Sequence, residues 1–133
     1  MALAASLATV LHAVHQGPWE HRRGDSPANL GNGVGKALLA EHGSGAEDSD
    51  FAFAVIGDIN TGMESFELAA ERLRSEPGVR FLVLLGDCSA ERTARHHRFF
   101  RAEFAETRLG LPTFIVAGNH DVGKGFPAAE FEK

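Results

Sequence analysis

The stretch Thr113-Phe114-Ile115-Val116-Ala117-Gly118-Asn119-His120-Asp121 joins an apolar run of strand length to a short polar turn. The same order occurs twice upstream. In the segment 51–60 an apolar run leads into Gly57-Asp58-Ile59-Asn60, and in the segment 79–89 another leads into Gly86-Asp87-Cys88-Ser89. Runs of this kind, rich in β-branched and aromatic residues, are typical of strands that are buried on both faces of a parallel sheet.

The three polar turns recur at the interval of one strand–helix–strand unit. Asp58 and Asp87 are 29 positions apart, and Asp87 and Asn119 are 32 positions apart, close to the roughly 30 residues of such a unit. Between the turns, the segments 62–75 and 90–107 carry apolar residues at helical spacing. Alternating strands and helices predict a parallel βαβαβ arrangement.

The ends of the first predicted helix carry start and stop signals. Thr61 is predicted to be its N-cap, and Glu64, three positions later, completes a capping-box pattern. Pro77-Gly78 is expected to end this helix and turn the chain. A further helix is predicted to begin within the segment 126–133.

The residue types in the turns predict a metal site. Asp58 and Asp87 follow apolar strands, where an unpaired carboxylate would be costly to bury, and a hard divalent cation would remove that cost. Asn119 can supply an amide oxygen, and His120 can donate a proton or stabilise charge on a substrate oxygen. In open α/β sheets, ligands bind at the edge where these turns meet. The alternative is that each Gly-Asp pair merely forms a turn.

Together these motifs resemble the calcineurin-like metallophosphoesterase superfamily over the segment 51–133. The family pattern is Asp-x-His, then Gly-Asp-x-x-Asp, then Gly-Asn-His followed by Asp or Glu. Gly118-Asn119-His120-Asp121 matches in full, Gly86-Asp87 matches the start of the second motif, and Asp58 matches the first residue of the first. The resemblance implies an α/β fold, the parallel βαβαβ portion of a four-layer αββα sandwich.

The resemblance also implies a chemistry, the hydrolysis of a phosphomonoester or phosphodiester at a binuclear centre of two divalent ions: manganese, magnesium, iron or zinc. Asp58 would bind the first metal ion, and Asp87 would bridge the two. Asn119 would bind the second ion, while His120 would contact the phosphate and assist the leaving oxygen. The implied partner is a phosphoester substrate of unspecified identity.

The sequence departs from the family pattern at two positions. Asn60 stands where the family has a metal-binding histidine. It is a candidate ligand, and its amide oxygen is a weaker and chemically harder ligand than an imidazole nitrogen. Ala90 stands where the second motif ends in an aspartate that orients the catalytic histidine. No histidine follows His120, so the chain is expected to be a truncated, N-terminal part of the domain, inactive alone. The alternative is a non-catalytic binding or scaffold domain with a degenerate metal site.

Composition and charge limit the remaining function classes. At 133 residues and 44% hydrophobic, the chain can hold one small domain. Its net charge of −5 and its lack of a basic stripe argue against a nucleic-acid partner. The predicted division is an apolar N-terminal segment at 1–16, a Gly-rich flexible linker at 17–50, and the metallophosphoesterase part at 51–133.

The N-terminal segment 1–16 has three interpretations that the sequence leaves open: the remnant of a membrane anchor, a signal-like segment or a surface helix. An anchor would allow membrane association, and His21-Arg22-Arg23 after it would favour a cytoplasmic side. The sequence leaves the location unknown, with a cytoplasmic and a membrane-associated location as the alternatives. Within the linker, Gly31 to Lys36 is not a phosphate-binding loop, because Leu30 and Ala37 occupy the positions that such a loop needs for Gly and for Ser or Thr.

Three further positions near the second motif have predicted roles. Cys88 is expected to pack as a small apolar residue without a catalytic role. Arg92 and Arg95 either reach a phosphate or lie on a solvated helix face. His96 and His97 are predicted to be surface or packing residues, because neighbours in a helix point in different directions.

Overall fold

The computed structural model describes residues 27–43 and 51–131. The helices and strands of these residues are α1 (Asn32–Gly43), β1 (Ala52–Ile56), α2 (Met63–Arg74), β2 (Val79–Leu84), α3 (Ala94–Glu106), β3 (Thr113–Ile115) and α4 (Ala128–Phe131). Within this part of the chain the strands form a three-stranded parallel sheet in the order β1-β2-β3. The predicted parallel βαβαβ arrangement is therefore confirmed.

The register of the sheet brings the strand ends level with one another. Ile56 of β1 pairs with Leu84 of β2, and Leu84 pairs in turn with Ile115 of β3. Backbone hydrogen bonds continue one step further, from Leu85 N to Ile56 O and from Val116 N to Leu84 O. The polar turns that follow the three strands consequently start at the same edge.

One face of the sheet carries the hydrophobic core. Phe66 and Ala70 of α2 and Phe104 of α3 are fully buried against it, with the Phe66 and Phe104 rings 6.0 Å apart between centroids. The sheet contributes side chains that alternate along each strand, as the two-residue period of a strand requires: Ala54, Ile56, Leu82, Leu84 and Ile115. Both crossover helices therefore cover the same face.

The opposite face is open at β1, which corrects the prediction that this strand is buried on both faces. Phe51 is 60% exposed, Phe53 is 52% exposed and Val55 is 48% exposed. The Phe53 ring stacks on Phe81 of β2 with 5.1 Å between centroids, and Phe81 meets Phe114 edge-on. The difference arises because α2 and α3 both pack on the Leu82–Leu84 side. Among the described residues, the aromatic side is left to solvent at β1, while α1 packs against Phe114 of β3.

Both crossover helices begin later than the sequence predicts. The N-cap of α2 is Gly62, which has no side chain to cap with, so the prediction that Thr61 caps this helix is wrong. The N-cap of α3 is Thr93, whose Oγ1 accepts a hydrogen bond from His96 N at 3.3 Å. Residues 90–93 instead form a turn, in which Ser89 Oγ donates to the Glu91 carbonyl at 2.6 Å.

Part of the predicted flexible linker is ordered against β3. Leu30 is 8% exposed and forms a parallel bridge with Thr113. The Asn29 amide donates to the carbonyls of Leu109 and Leu111 at 2.5 and 2.8 Å. These two asparagine bonds fix the chain before β3, which the glycine content of the segment did not indicate.

Helix α1 starts with a second asparagine that bonds to the sheet. Asn32 Nδ2 donates to the Ile115 carbonyl at 3.2 Å, and Asn32 Oδ1 accepts from Ile115 N at 3.3 Å. Gly35, one turn into α1, lies so near the Phe114 ring that an added Cβ would stand 3.2 Å from it. The glycines that suggested a weak element thus permit close packing of the helix on the sheet.

Residues 1–26 and 44–50 lie outside the described part of the chain, so the alternatives for the N-terminal segment 1–16 and the domain boundaries stay predictions. Among residues 27–43 and 51–131, none of the helices has the length and apolar character that crossing a membrane requires.

Candidate metal centre

The turns after β1 and β2 lie side by side at the carboxyl edge of the sheet. Asp58 N donates to the Gly86 carbonyl at 3.2 Å, directly after the ladder bond from Leu85 to Ile56. The first and second motifs are therefore linked through their backbones. This link follows from the parallel pairing of β1 with β2 in the sheet.

Both motif aspartates have the left-handed backbone conformation. The φ angle is 55° at Asp58 and 51° at Asp87. This region is uncommon outside glycine, with asparagine and aspartate as the most tolerant other residues. Strained conformations of this kind cluster at functional sites. Both carboxylates thus leave the sheet from the same unusual backbone geometry.

The second and third motifs meet through Asp87. Its Oδ1 accepts a hydrogen bond from the His120 backbone N–H at 2.7 Å. Asp87 is half-buried, whereas the side chains of Asp58, Asn119 and His120 are exposed. The structure therefore places Asp87 between the turns, with Asn119 and His120 beside it.

Two glycines permit this close approach. At Gly86, where φ is 85°, an added Cβ would stand 2.5 Å from Gly118 N. An added Cβ at Gly118 would collide with Asp87 Oδ1. The backbones of the two turns are in contact here, so the glycines of the second and third motifs are both required for this close approach.

Asp121 is a site residue to which the sequence gave no role. It is fully buried, and its Oδ1 accepts from Cys88 N at 3.0 Å and Ser89 N at 2.9 Å. Its Oδ2 accepts from Gly118 N at 2.8 Å. No local pattern pointed to this role, because Cys88 and Ser89 lie 33 and 32 positions from Asp121 in the sequence. Asp121 ties the turn after β2 to the turn after β3.

Asn60, a predicted ligand, lies next to Asp58. Its amide nitrogen donates to Asp58 Oδ1 at 3.3 Å. The structure thus brings Asn60 and Asp58 together as one pair, and Asp87 with Asn119 and His120 as another group. The two are joined by the backbone bond from Asp58 to Gly86. The ligand role of each residue stays a prediction.

The donor set on this edge consists of oxygens. Carboxylates at Asp58 and Asp87 and amide oxygens at Asn60 and Asn119 suit a hard divalent cation such as magnesium or manganese. Within residues 27–43 and 51–131, no three side chains of His, Cys, Asp or Glu converge closely enough to hold a metal ion. These oxygens are therefore candidate ligands by chemical type, and the described residues do not by themselves form a metal-binding group of His, Cys, Asp or Glu.

Cys88 and His97 support the site from the interior. Burial, together with the negative charges of Asp121 and Asp87, raises the pKa of the Cys88 thiol to about 12. Cys88 stays protonated and packs in the core, as predicted.

His97 Nε2 lies 2.7 Å from the Asp121 carbonyl, and its ring stacks on Phe126 at 4.1 Å between centroids. Burial lowers the pKa of His97, so the neutral ring donates to that carbonyl.

Arg92 reaches across to the third motif. Its Nε donates to the Asn119 carbonyl at 2.6 Å. The residue lies before α3 and not on it, because the helix begins at Ala94. The sequence alternatives for Arg92, a phosphate contact or a solvated helix face, did not include this bond.

Comparison with known proteins gives one match. A family model described as calcineurin-like phosphoesterase matches residues 51–133, which include all three motifs. Searches among curated proteins and among solved structures returned no match.

Proposed function

The chain belongs to the calcineurin-like phosphoesterase family, and we propose that it takes part in metal-dependent hydrolysis of a phosphomonoester or phosphodiester. The family suggests the reaction in general terms. The observation that carries the proposal for this chain is the hydrogen bond from His120 N to Asp87 Oδ1. It places a candidate ligand carboxylate directly against the Asn-His pair.

We assign two cations to the oxygens of Asp58, Asp87 and Asn119. Asp58 would bind the first ion, Asp87 would be shared by the two ions, and Asn119 would bind the second. Asp87 uses Oδ1 for the His120 amide, so Oδ2 is the oxygen that we assign to the cations. Asn60 would join this set after its amide turns from Asp58. Divalent cations, when bound, polarise phosphoryl oxygens and activate water. Two divalent ions are expected from the family, with their remaining ligands beyond the partial set described above.

His120 is the residue that we propose meets the substrate. Its side chain is exposed at the edge while its backbone is fixed to Asp87. An imidazole in this position can donate a proton to the leaving oxygen of the ester, the usual task of a general acid. Asp121 holds the surrounding turns in place, so the imidazole would approach the phosphoryl group from a fixed backbone.

The test is hydrolysis of p-nitrophenyl phosphate and of bis-p-nitrophenyl phosphate by the protein, with added manganese. Asp87→Asn is expected to lower kcat/KM about 100-fold or more, since it removes a ligand charge from the transition state. Glu71→Gln, an exposed change on α2, is the matched control and should retain activity. Metal-dependent activity that is unchanged in Asp87→Asn would exclude the assignment.

A second candidate is a binding or scaffold domain of the same family without catalysis. The observation that favours it is the bond from Asn60 to Asp58 Oδ1, which engages an oxygen assigned to the first cation. The hydrolysis assay with and without added manganese separates the two candidates. The scaffold function predicts no hydrolysis of either ester, whether or not manganese binds, whereas the phosphoesterase function predicts turnover that depends on manganese.

A further inference from the structure

The peptide group between Asn119 and His120 is held at both ends. Its carbonyl oxygen accepts from Arg92 Nε at 2.6 Å, and its N–H donates to Asp87 Oδ1 at 2.7 Å. We propose that Arg92 is a positioning residue, which acts through this peptide to orient Asp87, Asn119 and His120. The proposal rests on the proposed function for its catalytic consequence, but not for its geometry.

Peptide planarity makes this clamp effective. Because the peptide bond is rigid, fixing the direction of its C=O and N–H fixes the plane from which both flanking residues depart. Asn119 is the candidate ligand and His120 the candidate acid, and they flank this one plane. A single arginine can therefore set the starting direction of two functional side chains.

The charges on either side of the peptide reinforce the arrangement. The guanidinium of Arg92 is cationic and lies at the oxygen, where the peptide dipole is negative. The carboxylate of Asp87 is anionic and lies at the N–H, where the dipole is positive. Both hydrogen bonds are charge-assisted, which makes them shorter and stronger than bonds between neutral groups. Losing the arginine would weaken the alignment of Asp87 as well.

The aliphatic part of the Arg92 side chain packs against a turn that contains two glycines. Residues 123–126 form a tight turn, closed by hydrogen bonds from Gly123 N to Phe126 O and from Phe126 N to Gly123 O. An added Cβ at Gly123 would lie 2.5 Å from Arg92 Cδ, and one at Gly125 would lie 2.7 Å from the Arg92 carbonyl oxygen. The missing side chains of this turn let the arginine pass to Asn119.

The competing role for Arg92 is a direct cationic contact with the phosphate. The two roles require different parts of the side chain, because positioning uses the Nε–H and phosphate binding uses the charge. In glutamine, the amide nitrogen occupies the place of Nε, three carbons from the backbone, without the charge. In lysine, the charge is kept but the donor lies one atom further out. Arg92→Gln and Arg92→Lys therefore separate the roles.

The first measurement needs no activity. In ¹H–¹⁵N NMR spectra, Arg92→Ala is expected to speed hydrogen exchange of the His120 amide about tenfold or more, because its hydrogen bond opens when the peptide is released. The Ser89 amide, bonded to Asp121, is the internal reference and should keep its exchange rate. Arg92→Gln should retain protection of the His120 amide and Arg92→Lys should lose it. Unchanged exchange of the His120 amide in Arg92→Ala would overturn the proposal.

The second measurement is a double-mutant cycle with Gly123. In the parent protein, Gly123→Ala should speed hydrogen exchange of the His120 amide, because the added methyl group displaces the Arg92 side chain. In Arg92→Ala, the same change should have little further effect on that exchange rate. Gly110→Ala, with open space at its Cβ, is the matched glycine control. Additive effects of the two changes would contradict the contact on which the clamp depends.

Kinetics give the catalytic consequence. For p-nitrophenyl phosphate, Arg92→Ala is expected to lower kcat about 10- to 100-fold with KM within about threefold, as misplacement of a reacting group does. Arg92→Gln should recover most of kcat. A raised KM that Arg92→Lys restores and Arg92→Gln does not would overturn positioning in favour of phosphate binding. If the parent protein shows no hydrolysis, the proposed function fails, while the amide exchange still decides the clamp.

Discussion

At the residue scale, three aspartates of similar sequence context have different surroundings. Asp58 is exposed, Asp87 is half-buried, and Asp121 is fully buried. Burial of a carboxylate is tolerated when backbone N–H groups surround it, and Asp121 accepts three such bonds. Asp121 is thus the structural centre of the motifs, whereas Asp58 and Asp87 remain accessible to a ligand.

We predict that Asp121→Asn destabilises the protein by about 2–3 kcal/mol. The amide that replaces one oxygen would point its own N–H toward a backbone N–H, leaving a buried donor unsatisfied. Urea unfolding followed by circular dichroism measures this change. Asp58→Asn is the matched control: the same chemical change at an exposed residue, in a left-handed conformation that asparagine tolerates. It should cost less than about 0.5 kcal/mol. Equal losses in the two variants would contradict the role of Asp121.

At the element scale, acidic side chains of the two crossover helices repel one another electrostatically. Glu103 of α3 is partly buried, and burial raises its pKa, with additional contributions from the charges of Glu67 on α2 and Glu106. The folded pKa of Glu103 therefore lies above the unfolded value. Stability is lost as the pH rises from the unfolded pKa through the folded one, and the full penalty is present at neutral pH.

Glu103→Gln is accordingly expected to stabilise the protein at pH 7, by less than about 1 kcal/mol because water screens a partly exposed charge. The gain should vanish below the ordinary pKa of 4.5, where the glutamate is protonated in both states. Thermal unfolding at pH 7 and pH 4 measures both values, with Glu71→Gln as the control for an exposed change on α2. A gain that persists at pH 4 would show that charge is not the cause.

The elements also show how far local sequence patterns reach. The strands and helices were predictable because apolar runs and helical spacing are local signals, and the strand-end places of Asp58, Asp87 and Asn119 follow from them. The contacts of Asp121 and Arg92 were not predictable in this way. Each joins turns that are about 30 residues apart in sequence, so nothing in the neighbouring residues records them.

The predictions of where helix α2 starts and of which strand residues are buried were wrong for a related reason. Thr61 is a residue type suited to the N-cap position, yet the N-cap of α2 is Gly62. The turn that follows Asp58 sets the direction in which the chain runs into the helix. Phe53 has the character of a buried strand residue and is nevertheless exposed. Which face of a sheet the helices cover is a property of the packing and not of the strand itself.

At the scale of the whole molecule, the sheet face at β1 exposes a cluster of apolar side chains among the described residues. Phe51, Phe53 and Val55 are each about half exposed, and the central Phe53–Phe81 pair is stacked. Contiguous exposed apolar surface of this kind favours association with other apolar groups. The side of the sheet covered by α2 and α3 has no comparable cluster of exposed apolar side chains among the described residues.

We predict that this face binds the dye 8-anilinonaphthalene-1-sulfonate. Phe53→Thr should lower the dye fluorescence by roughly half, since the aromatic stack supplies most of the apolar area there. Leu68→Thr is the control, because Leu68 is 68% exposed but lies on α2, away from the sheet face. Equal losses in the two variants would show that binding is not confined to the aromatic face.

The pairing of Asn32 with Ile115 affects how copies of the chain can aggregate. The side-chain amide presents one donor and one acceptor to the strand, as the peptide group of an added strand would. A foreign strand approaching the outer edge of β3 finds these positions already filled, and Leu30 is bridged beside them. Growth of the sheet by strand addition, the first step toward fibrils, would have to displace helix α1 before it could begin at β3.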